Sequence, residues 1–121
     1  MREILFRGQR VDNGQWVYGS FVSYEKTFGI IEKENTEYTC DGGALEFLYT
    51  EVRFDTVSQF TGLLDKNGNK IFEGDKVKLG DSVIFVVKFI NGAFRFKNSD
   101  TYILLLDIPK TEEIEIIGNI K

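Results

Sequence analysis

Histidine is absent from this chain of 121 residues, and cysteine, proline and tryptophan each occur once. The absence of histidine removes the commonest general base near neutral pH, and with it Ser-His and Cys-His nucleophile pairs. The single cysteine, Cys40, excludes an intramolecular disulfide and leaves too few ligands for the usual structural zinc sites. The sequence therefore predicts no catalytic site, no metal and no cofactor, and it favours a reducing cytoplasm.

Long hydrophobic runs are also absent. The longest uninterrupted ones, such as Val83–Val87, have the length of a strand and fall far short of the ~20 residues of a membrane span. The N-terminal residues Met1–Arg7 lack the apolar segment of a signal peptide. Hydrophobic residues nevertheless make up 42 % of the chain, which is typical of a globular protein. We expect a folded domain without a membrane partner.

Charge is unevenly distributed along the chain. Residues 61–97 carry seven cationic and four anionic side chains, whereas residues 31–60 carry two and seven. The net charge of −4 disfavours avid non-specific nucleic-acid binding, which requires many clustered cations. The basic segment still defines one candidate binding surface, formed by Lys66, Lys76, Lys78, Lys88, Arg95 and Lys97. The interpretation that the sequence favours over such a binding surface is a solvated sheet face with intermixed charge.

Turn-forming residues separate short apolar segments in the first part of the chain. Asp12-Asn13-Gly14 predicts a hairpin between Ile4–Arg7 and Trp16–Tyr18. The second strand is expected to continue past Gly19, where the missing side chain indicates a bulge. Phe28–Ile31 is expected to be a third strand.

The middle of the chain repeats this pattern with clearer turns. Asp65–Gly68 lies between the apolar pairs Leu63-Leu64 and Ile71-Phe72, which predicts a hairpin with a left-handed residue at its end. A second reversal is expected at Glu73–Asp75. The strand that follows, Lys76–Leu79, alternates polar and apolar residues as a half-buried strand should.

Later segments predict a central strand, a tight hairpin and a final strand. Val83–Val87 is apolar on both faces and is placed at the centre of the fold. Asn91-Gly92 is the strongest hairpin signal in the chain, and Ile114–Ile116 alternates as a last strand. Two segments remain open: residues 32–51 as a hairpin or a loop with a short strand, and residues 99–106 as a helix or a strand.

These elements predict a mainly β fold. Short strands at close spacing favour one small domain over residues 1–121, built as a strongly bent sheet or an SH3-like barrel with at most one or two short helices. Within 32–51, residues 44–49 fit either one helical turn or a strand.

The run from residue 55 to residue 77 resembles a known signature. Its sequence is DTVSQFTGLLDKNGNKIFEGDKV, similar to T-V-x-Q-Y/F-T-G-L-x-D-K-N-G-x-x-I-Y/F-E-G-D-x-V of the YopX family of bacteriophage and prophage proteins. Phe6-Arg7 with Trp16–Gly19, and Ile116–Ile120, are similar to the opening and closing segments of that family. The motif residues, to which turn chemistry assigns a structural role, are Thr61, Gly62, Asp65, Asn67, Gly68, Glu73, Gly74 and Asp75.

The resemblance implies a small phage-encoded protein of the bacterial cytoplasm, compatible with a homo-oligomer, and supplies no catalytic residue. The first functional hypothesis is a non-enzymatic interaction or assembly module that binds a host or phage protein. The alternative is a nucleic-acid-binding accessory protein that uses the basic segment 66–97. An enzyme built on carboxylates alone ranks third.

Overall fold

The computed structural model describes residues 3–32, 38–41, 44–47, 49–80, 83–99, 102–104 and 114–121. Over these ranges the chain forms β-strands and one short 3-10 turn, Phe54–Thr56, which confirms the prediction of a mainly β fold. The chain groups into two compact units, Ile4–Gln59 and Met1–Glu3 with Phe60–Lys121. The assignment of residues 1–121 to one domain stays a prediction.

The N-terminal unit is built on an antiparallel sheet. The strands of this unit are β1 Phe6–Gln9, β2 Trp16–Tyr24, β3 Thr27–Glu32, β4 Tyr38–Asp41, β5 Ala44–Phe47, β6 Thr50–Glu51 and the first residues of β7 Ser58–Leu64. In this unit the strand order is β6-β3-β2-β1-β7, while β4 and β5 pair with each other. The core contains Val17, Ile30 and Val52. The hairpin over residues 4–18 is thus confirmed, and residues 44–47 form a strand.

Gly19 does not mark a bulge, so that prediction was wrong. Gly19 pairs with Phe6 on one side and Glu32 on the other, without a register shift. The missing side chain has a different cause: a Cβ atom at this position would overlap the carbonyl group of Ile31. Glycine is needed here because the neighbouring backbone comes too close for any side chain.

The C-terminal unit contains a second antiparallel sheet. The strands of this unit are the end of β7, β8 Lys70–Phe72, β9 Asp75–Leu79, β10 Val83–Ile90, β11 Ala93–Lys97, β12 Tyr102–Leu104 and β13 Ile114–Asn119. Five of them follow the order β12-β11-β10-β9-β13, and β7 pairs with β8. The open choice at 99–106 is resolved in favour of a strand over residues 102–104, whereas residues 100, 101, 105 and 106 lie outside the described ranges.

The β10–β11 hairpin turns as its sequence predicts. Asn91 and Gly92 have φ angles of 52° and 79°, the left-handed values of a type I′ turn. Asparagine and glycine adopt these angles at little cost, which fixes the register of the two strands. Consequently Val86 lies opposite Lys97, and Lys88 lies opposite Arg95.

One face of the five-stranded sheet packs on the core of this unit. The buried residues are Ile71, Val77, Phe85, Val87, Phe96 and Ile114. β10 lies at the centre of the sheet, as predicted, but only one of its two apolar faces is buried. Ile84, which points to the opposite face, keeps 51 % of its surface exposed. A continuous apolar run predicts burial on both sides of a strand, and here that expectation fails.

Replacing Gly19 with alanine tests the close approach of β2 and β3. We expect the Gly19→Ala variant to lose about 1–3 kcal/mol of unfolding free energy, because the new methyl group forces the backbone of Ile31 away. Urea denaturation followed by circular dichroism measures the loss. The matched control is Gly118→Ala, since a Cβ at that strand position has no atom within 4 Å. Equal stabilities of the two variants would contradict the steric explanation.

Candidate functional site

The turn between β7 and β8 is organised by the carboxylate of Asp65, of which only 5 % is exposed. Its Oδ1 atom accepts the N–H groups of Asn67 and Asn69, each at 2.9 Å. Its Oδ2 atom accepts the N–H group of Ile116 at 3.2 Å. The first pair of bonds shapes the turn, and the third bond connects the turn to β13, which lies about fifty residues further along the chain.

These hydrogen bonds set the ionisation of Asp65. Burial alone would raise the pKa of its carboxyl group, but the donated N–H groups of Asn69, Ile116 and Asn67 outweigh burial and lower the pKa below its ordinary value. The residue is therefore a carboxylate at neutral pH, with both oxygens occupied by backbone donors. That arrangement suits a structural acceptor, whereas a general acid needs a raised pKa.

Two further polar residues of the motif are engaged inside the C-terminal unit. The Thr61 hydroxyl donates to the carbonyl oxygen of Ile71 at 2.8 Å and accepts the N–H group of Leu63 at 3.2 Å. The Asp75 carboxylate, 2 % exposed, accepts the N–H group of Phe72 at 2.8 Å. Each side chain forms hydrogen bonds with buried backbone groups. A buried backbone group without such a partner would lower the free energy of unfolding.

The reversal at Glu73–Asp75 completes the structural part of the motif. Gly74 has a φ of 91°, which glycine adopts easily, and its N–H group donates to the carbonyl oxygen of Val87 at 2.8 Å. The Glu73 carboxylate pairs with the Lys121 ammonium at 2.6 Å. The other motif residues shape turns or a strand irregularity: Gly62 with a φ of 93°, Asn67, and Gly68 with a φ of 83°.

The strand register brings five of the six predicted cations to one face of the C-terminal sheet. Directly opposed residues of antiparallel strands project to the same face. Val86 on β10 has Lys76 on one side and Lys97 on the other, so these three side chains form one row. We call the whole surface the basic face; it carries Lys76, Lys78, Ile84, Val86, Lys88, Arg95 and Lys97.

Four of the five cations on the basic face form two columns, and the fifth, Lys88, lies between them on β10. β9 contributes Lys76 and Lys78, and β11 contributes Arg95 and Lys97, with β10 between them. The guanidinium of Arg95 donates to the carbonyl oxygen of Ile90 at 3.1 Å, which anchors that column near the hairpin end. Within the described ranges, the ammonium groups of Lys76, Lys78 and Lys88 have no ion-pair partner.

The centre of the basic face is apolar. Ile84 and Val86 occupy the β10 positions between the two cation columns, and Ile84 is half exposed. The aromatic side chains of the hairpin strands, such as Phe85 and Phe96, alternate to the opposite, core-facing side. Sequence reasoning missed Ile84 and Val86 as surface residues because it placed the whole apolar run inside the fold. The available signal was Lys88, which shares a face with Val86 at a spacing of two residues and with Ile84 at a spacing of four.

The sixth predicted cation lies outside the basic face. Lys66 belongs to the Asp65 turn, and its ammonium is 3.6 Å from the carboxylate of Glu115 on β13. Glu115 is in turn the cross-strand neighbour of Lys78. Lys66 therefore approaches the margin of the basic face only through an acidic residue, which partly neutralises the positive potential at that edge.

Apart from the basic face, the described residues form an uncharged groove and no metal site. The N-terminal unit has a shallow, mainly apolar groove of about 220 Å³, lined by Val22, Ser23, Tyr24, Thr27, Gly29 and Tyr49. None of its lining residues carries a formal charge. Within the described part of the chain, no three His, Cys, Asp or Glu side chains lie close enough to hold a metal ion. No helix there is long and apolar enough to cross a membrane.

Comparison with protein families identifies a match. A family model described as YopX protein matches residues 5–121 and so covers nearly the whole chain. No curated protein matches the sequence.

Replacing Asp65 with asparagine separates its two structural tasks. The amide of the Asp65→Asn variant keeps one oxygen for Asn67 and Asn69, but its NH₂ group cannot accept the N–H group of Ile116. We expect a loss of about 1–3 kcal/mol of unfolding free energy at pH 7, and a larger loss for Asp65→Ala. Urea denaturation measures both. The control is Asp55→Asn, whose carboxylate is 69 % exposed and should be nearly neutral.

The acid limb of stability gives a second test of Asp65. Because the folded-state pKa lies below the ordinary value of 3.8, the carboxylate stabilises the fold fully above that value and loses its contribution as the pH falls through the folded-state pKa. The stability gap between the natural chain and Asp65→Asn should therefore narrow below about pH 4. A gap that stays constant between pH 7 and pH 3 would show that Asp65 makes no charge-dependent contribution.

Proposed function

Because the chain belongs to the YopX family, we propose that it is a phage-type accessory protein that acts by binding another protein, and that the basic face is its contact surface. The observation that carries the proposal is the combination of two cation columns with an exposed apolar centre on one sheet face. Such a surface offers charge for orientation and apolar area for affinity. The partner is a host or phage protein of the bacterial cytoplasm.

Binding is favoured over catalysis by the way the motif residues are used. The side chains of Asp65, Thr61 and Asp75 each form hydrogen bonds with backbone groups of their own unit. The chain has no histidine to act as a base, and the lowered pKa of Asp65 is the opposite of what a general acid requires. We therefore assign the motif to the stability of the C-terminal unit and the function to its surface.

A protein partner is favoured over nucleic acid by two features. Ile84 and Val86 lie at the centre of the basic face, where a phosphate backbone gains nothing from apolar contact. Glu115 adds a negative charge at the margin, and the chain is acidic overall, with a net charge of −4.

Nucleic acid is the second candidate, and one observation favours it. Cations that are spread over more than twenty residues of sequence, from Lys76 to Lys97, meet on one surface of three adjacent strands. Convergence of that kind is required for counterion release and a salt-dependent affinity. The two candidates therefore share a surface and differ in what covers it.

A pull-down from a lysate of phage-carrying bacteria tests the proposal. The tagged chain should retain a stoichiometric protein partner, and nuclease treatment should leave that partner in place. The Lys76→Glu/Lys78→Glu double variant should retain about tenfold less of it, because both substitutions reverse charge within one cation column.

The matched control is Lys26→Glu/Arg53→Glu, which reverses two exposed cations of the N-terminal unit. This control should retain the partner at the level of the natural chain. Recovery of only nuclease-sensitive material would instead support the nucleic-acid candidate. A nuclease-resistant partner that both double variants retain equally would show that the basic face is not the contact surface.

A further inference from the structure

We propose that the basic face receives an acidic amphipathic α-helix of its partner, laid along β10 with its apolar stripe on Ile84 and Val86. This inference rests on the proposed function and specifies its partner chemistry. The supporting features are the width of the apolar centre, the lack of free backbone groups on a sheet face, and the sign of charge on both flanks. Each feature selects among the shapes that a binding segment can take.

Width favours a helix. The cation columns on β9 and β11 are separated by two interstrand spacings, which is roughly 10 Å. An α-helix with its side chains is about 10–12 Å across. A helix above β10 therefore places its lowest residues on Ile84 and Val86, while residues on its two flanks reach Lys76 or Lys78 on one side and Lys97 on the other.

Backbone hydrogen bonding also favours a helix over an extended segment. The N–H and C=O groups of β10 are already paired with β9 and β11 on both sides, so the face of the sheet offers side chains only. An extended peptide lying flat on this face would leave its own backbone groups without partners. A helix satisfies those groups internally, and it presents only side chains to the surface.

Charge and length define the sequence of the expected helix. From Ile84 to Lys88 the basic face extends about 14 Å along β10, which corresponds to about nine helical residues. The helix should carry apolar residues at spacings of three and four, with Asp or Glu on both sides of this stripe. Both flanks must be acidic because cations border the apolar centre on both sides.

A designed peptide provides the probe. It is a fluorescein-labelled helix of about 18 residues, cross-linked through its polar side to hold its conformation, with a leucine stripe flanked by glutamates. The control peptide has the same composition, but its leucines are distributed around the helix. Fluorescence anisotropy with the full chain should show binding of the striped peptide, and affinity for the control peptide should be at least about tenfold weaker.

Variants of the chain separate the helix from a polyanion. Ile84→Lys removes apolar contact and adds a cation, so it should lower the affinity for the striped peptide about fivefold. The same substitution should leave the binding of an oligonucleotide unchanged or strengthened. Lys78→Glu should lower the affinity for the striped peptide about tenfold, and Lys26→Glu should leave that affinity unchanged. Ile84→Thr, a milder loss of apolar area, serves if Ile84→Lys proves unfolded by circular dichroism.

The outcomes distinguish this inference from the proposed function. The helix inference is overturned if the natural chain binds the two peptides with equal affinity. It is also overturned if the Ile84→Lys variant binds the striped peptide more tightly than the natural chain does. Failure of the striped peptide to bind also overturns it, and the proposed function then stands if the captured protein still depends on Lys76 and Lys78. Tight binding of single-stranded or duplex DNA, with neither peptide bound, overturns both.

Discussion

The C-terminal unit depends on one buried carboxylate. Asp65 accepts three backbone N–H groups, two within its own turn and one from β13 near the other end of the chain. It thereby sets a local conformation and a long-range contact with the same two oxygen atoms. A second backbone bond beside it, from the N–H group of Lys66 to the carbonyl oxygen of Ile114, strengthens the attachment. The position of β13 in the sheet follows from this turn.

The five-stranded sheet separates a buried apolar face from a charged outer face. Its inner face holds the buried cluster around Phe85, Val87 and Phe96, which supplies the hydrophobic stabilisation of the unit. The outer face is free to carry charge because it contributes little to that core. This division explains why the motif residues and the exposed cations are different sets. The motif holds the backbone in place, and the cations of the basic face are not part of it.

Turn chemistry made most of the fold predictable. Asp12-Asn13-Gly14, Asp65–Gly68 and Asn91-Gly92 act through local backbone preferences, and the chain reverses at each of them. Two features depended on neighbours that are distant in sequence and escaped prediction. The close approach of Ile31 to Gly19 arises from strand pairing. The exposure of Ile84 depends on which elements cover the sheet, and alternation within β10 cannot show this. The cations of the basic face could be identified one by one in the sequence. That they lie on the same face could be seen only from the register of β9, β10 and β11.

The apolar centre of the basic face has a consequence for the protein before it meets any partner. Val83–Val87 is a short, uncharged and mainly β-branched segment of the kind that nucleates intermolecular sheets. Here it is placed inside a sheet and bordered by lysines, which act as gatekeepers against self-association. The cations that we propose for recognition would thus also limit self-association. Selection for solubility alone would preserve them, so a lineage that lost its partner would still be expected to keep its lysines.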